Sequence, residues 1–262
     1  MDAILPYLQE NPIEHQRYLT LKQTLAAFRP VFVNRRVLDF GASSGLSICA
    51  LIELGAAKVV GIEPEEPRVE RGQAILSNTG SADRARILHV GDTAHLPFAD
   101  GSFEFVLANA VFEHIPQPRD RYIREVWRVL APGGHFLLNE TPNKYLPLDY
   151  HTTGLLFVPW LRSGIAHRYA VWRGRFRKEE DWATSGWRGL GYYELVRALP
   201  SGSTVIPERS RLRHRVFLRF GLPASLLDPY PTYLIRKEVS GSPPATSQRG
   251  ILAPRGYDKI PG

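Results

Sequence analysis

Cysteine occurs once in the 262 residues, as Cys49, and methionine once. A lone cysteine can build neither a disulfide framework nor a cysteine metal cluster, and it suits a reducing compartment. Cys49 lies in an apolar helical pattern and reads as a small core residue. No apolar run approaches the roughly 18 residues that a membrane span needs. The N-terminus, Met1-Asp2-Ala3-Ile4-Leu5-Pro6, lacks a basic stretch followed by an apolar one, so it does not read as a secretory signal. Internal repeats are missing too. These absences point to a cytoplasmic protein.

What is present is an ordinary globular composition, 44% apolar, with an uneven charge. The net charge is +7. Residues 1–140 hold 14 Lys and Arg against 17 Asp and Glu, residues 141–240 hold 16 against 8, and the tail 241–262 holds 3 against 1. The first half is slightly acidic and the second strongly basic. A basic half can meet an anionic substrate, a nucleic acid or a lipid head group, or can simply be a solvated arginine-rich face.

The most informative stretch is Val37-Leu38-Asp39-Phe40-Gly41-Ala42-Ser43-Ser44-Gly45. It reads as a buried strand, a glycine turn and the start of a helix. A second apolar strand, Lys58-Val59-Val60-Gly61-Ile62, ends on Glu63 and Pro64. This is a nucleotide-binding βαβ pattern, in which glycines admit a ligand to the backbone and an acid at the second strand's tip accepts from ribose hydroxyls. A dinucleotide fingerprint needs glycines at relative positions one, three and six. Here they stand at one and five, with Ser43 in the middle, which disfavours a dehydrogenase. Gly41-Ala42-Ser43-Ser44-Gly45 also fits the Gly-x-Ser-x-Gly elbow of serine hydrolases. Only about forty residues precede it, too few for the strands and oxyanion loop that such an elbow follows.

Strands and helices then alternate. Strands are expected at about 36–40, 58–62, 86–90, 103–108 and 135–139, and helices at about 45–55, 67–78 and 119–130, with Pro132-Gly133-Gly134 ending the last. This implies an α/β fold with a mostly parallel sheet covered on both faces. Ligands bind such sheets beyond the carboxyl ends of the strands, where Asp39, Glu63, Asp92 and Asn109 fall. Residues 1–34 form a helical lead-in broken by Pro6, Pro12 and Pro30. Residues 35–142 are the core. Residues 143–200, rich in aromatics, form a helical cap over the strand ends, inserted after strand five. Residues 201–238 close the core, with 215–220 and 232–236 as candidate closing strands or a helix, and 239–262 read as a disordered tail.

With these motifs in order, the chain resembles class I S-adenosylmethionine (SAM)-dependent methyltransferases, in a type 11-like subgroup, over about residues 35–142. Asp39 to Gly45 matches the family's first motif, usually Asp-x-Gly-x-Gly-x-Gly, with Ser43 the departure. Glu63 matches the ribose-binding acid and Asp92 the adenine-side acid. Asp100-Gly101-Ser102-Phe103-Glu104-Phe105 resembles the entry to strand four. Ala108-Asn109-Ala110-Val111-Phe112-Glu113-His114 resembles the segment after it, and Leu130-Ala131-Pro132-Gly133-Gly134 the turn before strand five. The resemblance implies a Rossmann-like fold, SAM as cofactor and S-adenosylhomocysteine as product. It implies cofactor contacts from Asp39, Gly41, Ala42, Ser43, Gly45, Glu63, Pro64, Asp92, Thr93, Asn109, Ala110 and His114.

The acceptor side rests on fewer signals. His114 follows strand four, beside where the transferred methyl should lie, and can act as a base or pack over the cofactor. His151 and Asp149 lie in the segment after strand five, as acceptor contacts, a base, or parts of a loop-fixing network. Glu113 reads as structural. Glu113, His114, Glu140, Asp149 and His151 could be imagined around a metal, but no His-x-x-x-His pair is present and none is expected. The expected reaction is O-methylation of a small or medium acceptor, anionic and sugar- or lipid-linked. N- or C-methylation and a catalytically silent SAM-binding module are the alternatives. DNA is not an expected partner, because Asn109-Ala110-Val111-Phe112 lacks the Asn-Pro-Pro-Tyr pattern of base-flipping amino-methyltransferases. Residues 209–220, dense in arginine with Val216, Phe217, Leu218 and Phe220, could touch a membrane surface or an RNA phosphate, or be a solvated element.

Overall fold

The computed structural model describes residues 5–206 and 227–239. The arginine-dense run 209–220, with the candidate closing element 215–220, and all but the first residue of the expected tail lie outside them.

Helices α1 (Leu5–Glu10) and α2 (Pro12–Phe32) lead in. There follow β1 (Arg36–Phe40), α3 (Leu46–Glu53), β2 (Lys58–Glu63), α4 (Glu66–Asn78), β3 (Ala85–His89), β4 (Phe103–Asn109), α5 (Asp120–Val129) and β5 (Leu130–Asn139). After a 3-10 turn at Val158–Trp160 come α6 (Ser163–Trp172), α7 (Trp182–Ser185), α8 (Tyr192–Ala198), β6 (Ser203–Ile206) and β7 (Tyr233–Lys237). The strands form one sheet in the order β3-β2-β1-β4-β5-β7-β6. The first five are parallel, and β7 and β6 add an antiparallel edge. The strand order reverses between β1 and β4, which opens a crevice at their carboxyl ends.

The near-continuous apolar strands are explained by burial on both faces. Side chains alternate along each strand. Leu38, Phe40, Val106, Ala108, Phe136 and Leu138 therefore face one layer, with α5 and α8, whose Leu195 and Ala198 are buried there. Val37, Val59, Phe105, Leu107 and Leu137 face the other, with α2 and α3. Cys49 is buried in that second layer.

Three details differ from the sequence reading. Pro30 does not break α2; it falls in the last turn, and the helix runs on to Phe32. Pro132-Gly133-Gly134 does not end α5, which stops at Val129; these residues lie inside β5. There the register slips, from Phe103 opposite Leu130 to Phe105 opposite His135. Gly134 permits the slip, because a Cβ on it would lie 2.8 Å from the Glu104 carbonyl oxygen. The closing edge also contains β6, a strand not foreseen.

Between β5 and α8 the chain builds a small cluster of its own, with Leu155, Val158, Ala166 and Ala170 buried and Phe176, Trp182 and Trp187 packed against it. Arg119 ties this segment to the core. Its side chain is 1% exposed and donates to the carbonyls of Ile115 (3.0 Å), Gly189 (2.9 Å) and Arg188 (3.3 Å), and to Glu194 (3.3 Å).

Gly45 precedes α3 at φ +81°, in the left-handed region, and a Cβ there would meet Ile87 Cδ1 at 3.0 Å. Gly45→Ala should therefore lower stability by roughly 1–2 kcal/mol, the usual cost of that conformation for a residue with a Cβ. A shift of the urea midpoint at constant slope is the expected readout.

Candidate active site at the strand ends

The turn after β1 is built by β2. Gly41 and Ala42 both donate their N–H groups to the Ile62 carbonyl, at 3.0 and 2.9 Å. Ser43, at φ +46°, donates its N–H to Glu63 Oε2 at 2.9 Å. Glu65 donates its N–H to Glu63 Oε1 at 3.2 Å. Glu63 is thus fixed by one backbone donor per oxygen, and each oxygen keeps a second lone pair. Asp39 is buried beneath the turn and accepts from the Ser47 hydroxyl. Burial pushes its carboxyl up to about 7, opposed by the Ser47 bond and reinforced by Glu63 nearby.

The second wall comes from β4 and β5. Ala110, at φ +53°, donates its N–H to the Asn139 carbonyl (2.9 Å). The Asn109 side chain accepts from Asn139 Nδ2 (2.7 Å) and donates to Glu140 (3.2 Å), itself at φ +58°. Ser43, Ala110 and Glu140 are non-glycine residues in the left-handed region, one just past each of three strands. Such strain clusters where a site needs a particular backbone. Val111 reaches over the first turn, since a Cβ on Gly41 would lie 2.6 Å from Val111 Cγ2.

Asp92 stands further out, its side chain 65% exposed, bonded to His95 Nδ1 (2.8 Å) and to the Ala94 N–H (3.0 Å). The His95 bond, then that of Ala94, holds its carboxyl below the usual range. Thr93 is half-buried beside it, and Pro64 is exposed, with its carbonyl 3.0 Å from His89 Nε2.

On the acceptor side the loops bring His114 and His151 together, with ring centroids 6.0 Å apart. Burial, then His151, holds the His114 imidazole below its ordinary pKa. Asp149 is fully buried and accepts from the N–H groups of His151 (2.9 Å), Thr152 (2.8 Å) and Thr153 (2.8 Å), and from the Thr153 hydroxyl (2.7 Å). Of the roles open to it in the sequence, this geometry is that of a loop anchor. Glu113, set aside as structural in the sequence, lies at the same place. Its Oε2 accepts from Thr141 (3.1 Å), its carbonyl accepts from Arg188 Nε (2.9 Å), and its Oε1 is buried with no hydrogen-bond partner. Burial pushes its carboxyl up to about 7. Nothing in the local pattern signals this, because the contact depends on two loops far apart in the chain.

Residues 38–138 match the family model of a methyltransferase domain. An uncharacterized methyltransferase of Mycobacterium sp. (strain KMS) is 37% identical over 173 residues, which is 65% of this chain and 63% of that protein. The 27-O-demethylrifamycin SV methyltransferase of Amycolatopsis mediterranei (strain S699) is 32% identical over 120 residues, 46% of this chain and 43% of that protein. The chain thus spans less than two thirds of the length of these curated relatives. Among solved structures, an S-adenosylmethionine-dependent methyltransferase from Mesorhizobium loti aligns at a TM-score of 0.53 and 18% identity, over 83% of this chain and 95% of that one; at that identity the likeness concerns the fold.

Residues 38–138 are a methyltransferase domain, on the fold of class I SAM-dependent methyltransferases.

SAM is the cofactor that goes with such a domain, and the residues present suit it. Glu63 offers the remaining lone pairs of a buried, oriented carboxylate to a ribose diol. Asp92 offers an ionised carboxylate at the rim, where an exocyclic amine can donate. The left-handed backbone at Gly41, Ser43 and Gly45 keeps bulk out of the first turn. Ser43 stands between the two glycines and, like them, has a left-handed backbone, at φ +46°.

Asp39 also makes a pH prediction. Its folded pKa, about 7, lies above the ordinary 3.8. The folded state therefore holds a proton that the unfolded state has released. The stabilisation is complete below about pH 4 and is lost as pH rises towards 7. Over that window the ligand-free wild type should lose stability relative to Asp39→Asn by at least about 1.4 kcal/mol, the value of one pKa unit. Urea unfolding of both proteins from pH 4 to 8 checks it, and parallel curves would refute it.

Proposed function

We propose that this chain binds SAM through Asp39, Gly41, Ala42, Ser43, Gly45, Glu63, Pro64, Asp92, Thr93, Asn109, Ala110 and His114, and methylates an oxygen of a small or medium organic acceptor. The observation that carries the reading is the shared placement of the Glu63 carboxylate, the glycine turn and the His114–His151 pair at the carboxyl ends of one parallel sheet. SAM supplies a methyl already activated on sulfur; transfer breaks that C–S bond, forms an O–C bond and leaves S-adenosylhomocysteine. The chain's own task is then to orient two reactants and to take the acceptor's proton. Glu63 and Asp92 fix the adenosine end. His114 and His151 flank the acceptor end. An imidazole held below its ordinary pKa, as in His114, is unprotonated at neutral pH and can draw off a hydroxyl proton.

Two features support an anionic, sugar- or lipid-linked acceptor. The segment between β5 and α8 presents Arg162, Arg168, Arg173, Arg175, Arg177 and Lys178 to solvent. It also exposes Phe157, Trp160, Ile165 and Trp172, the last at 77%. Cations beside exposed rings suit an amphipathic molecule with a charged head. Among the described residues no helix is long and apolar enough to cross a membrane.

Calorimetry with SAM and with S-adenosylhomocysteine tests the cofactor half. Micromolar binding is expected, weakened at least tenfold by Glu63→Ala and by Asp39→Ala. A folded wild type that binds neither compound would overturn the proposal. For the acceptor half, His114→Ala should cut turnover by roughly 10²–10⁴-fold, the range of general-base loss, with the Kd for SAM changed far less. Unchanged turnover in both His114→Ala and His151→Ala would remove the pair from proton transfer.

A further inference from the structure

Glu113 Oε1 is a buried carboxylate oxygen with no hydrogen-bond donor, on a side chain 1% exposed. Buried polar atoms are almost always satisfied, and a bare carboxylate oxygen is among the costliest exceptions. The atom does not face apolar packing alone. His114 Nε2 lies 3.9 Å from it, and one ligand atom each of Glu113, His114 and His151 lie within 4.8 Å of one another. His114 and His151 are exposed, so the group is closed by protein on the Glu113 side and open to solvent on the other.

We propose that Glu113, His114 and His151 form a three-ligand site for a divalent first-row transition cation of the zinc class. The donor set is two imidazole nitrogens and one carboxylate oxygen, which suits borderline cations and leaves positions open for a further ligand. Magnesium and calcium prefer oxygen alone. The two less mobile members are fixed from behind. Glu113 is held by Thr141 and Arg188, and the His151 backbone by the buried Asp149. Ligands at about 2.0–2.2 Å from a common ion stand closer together than these atoms do, so the set must draw inward. The exposed imidazoles have the rotamer freedom to do so. Among the charged groups around the site, Glu140 and Glu65 favour a cation, and Arg119, Arg188 and Arg68 oppose it.

The site follows β4, where the acceptor would sit on the O-methylation reading above. In the ion-free chain His114 is the base proposed above; with a cation bound to the histidines, the cation would lower the pKa of an acceptor hydroxyl and the proton would pass to solvent. That role rests on the proposed function; the binding of the ion does not.

The full chain, stripped with a chelator, would be titrated with Zn²⁺ by calorimetry and with Co²⁺ by visible absorption, with and without SAM. One ion per chain is expected, with cobalt d–d bands of a nitrogen-oxygen site and no comparable response to Mg²⁺. His151→Ala, His114→Ala and Glu113→Gln should each weaken binding at least tenfold, while His15→Ala should not. His151 is exposed, so its variant keeps the test independent of whether Glu113→Gln folds. Absent binding, or binding that survives both histidine changes, would overturn the site. If SAM fails to bind while the metal response persists and tracks these residues, the proposed function falls and the site stands. If SAM binds and the metal response is missing, the reverse holds.

Discussion

The parallel pairing of β1 with β2 on one side and β4 on the other is the constraint on which the rest depends. It aligns Asp39 with Gly61 and Leu107, and Phe40 with Ile62. That register sends three strand ends to the same edge and divides the crossover connections to either side. The backbone must then leave each strand within one or two residues, above a core that admits little bulk. The turn after β1 shows how tight this is. A Cβ on Gly61 would stand 2.6 Å from both Ala42 and Ile48. The side chains of Ala42 in the first turn and Ile48 in α3 lie against the backbone of β2 at Gly61, where a Cβ would have no room.

The same edge gathers buried carboxylates, and their partners differ in a useful way. Asp149 takes four donors, all from its own loop. Glu63 takes two backbone N–H groups. Asp39 takes one hydroxyl, and Glu113 takes one hydroxyl while leaving an oxygen bare. An unmade hydrogen bond of a buried group costs roughly 1–3 kcal/mol, more when the group is charged. A fully donated carboxylate such as Asp149 is therefore explained by the fold itself. The incompletely donated ones are Asp39, Glu63 and Glu113, whose remaining acceptor capacity the chain's own donors leave unused. Sorting acids by their donors separates a fully satisfied loop anchor from carboxylates with spare acceptor capacity, which burial cannot do, since all four are buried.

Much of the fold was legible in the sequence. The run 36–40, the glycine turn and the run 58–62 announce a strand, a crossover helix and a parallel strand because both faces are buried and apolar residues fill them. The edge was harder. Ser203-Thr204-Val205-Ile206 is a half-buried strand of four residues, too short for a period to show. The start of β5 was hidden by Pro132-Gly133-Gly134, which reads as a stop and is in fact a slip in register. At the site, the placement of Glu63, at the end of β2, and of Asp92, three residues past β3, is readable because the apolar strand runs themselves are. The meeting of Glu113, His114 and His151 is not, because it depends on how the loops after β4 and β5 fold back. The donors that hold Asp149 were equally invisible, being backbone groups of the residues next to it.

The segment after β5 obeys a different logic from the core. Its small cluster buries few residues, while several large apolar side chains remain exposed. It is joined to the core through Arg119, whose guanidinium replaces water for three carbonyls at once. A few directed bonds of that kind fix position without demanding a large shared interface. The sheet edge is thus specified by strand register and hardly free to vary. The segment above it can change its aromatic and basic surface at little cost to the fold. Differences between proteins of this architecture are then expected to reside above the strand ends, and the glycine turn to stay nearly constant.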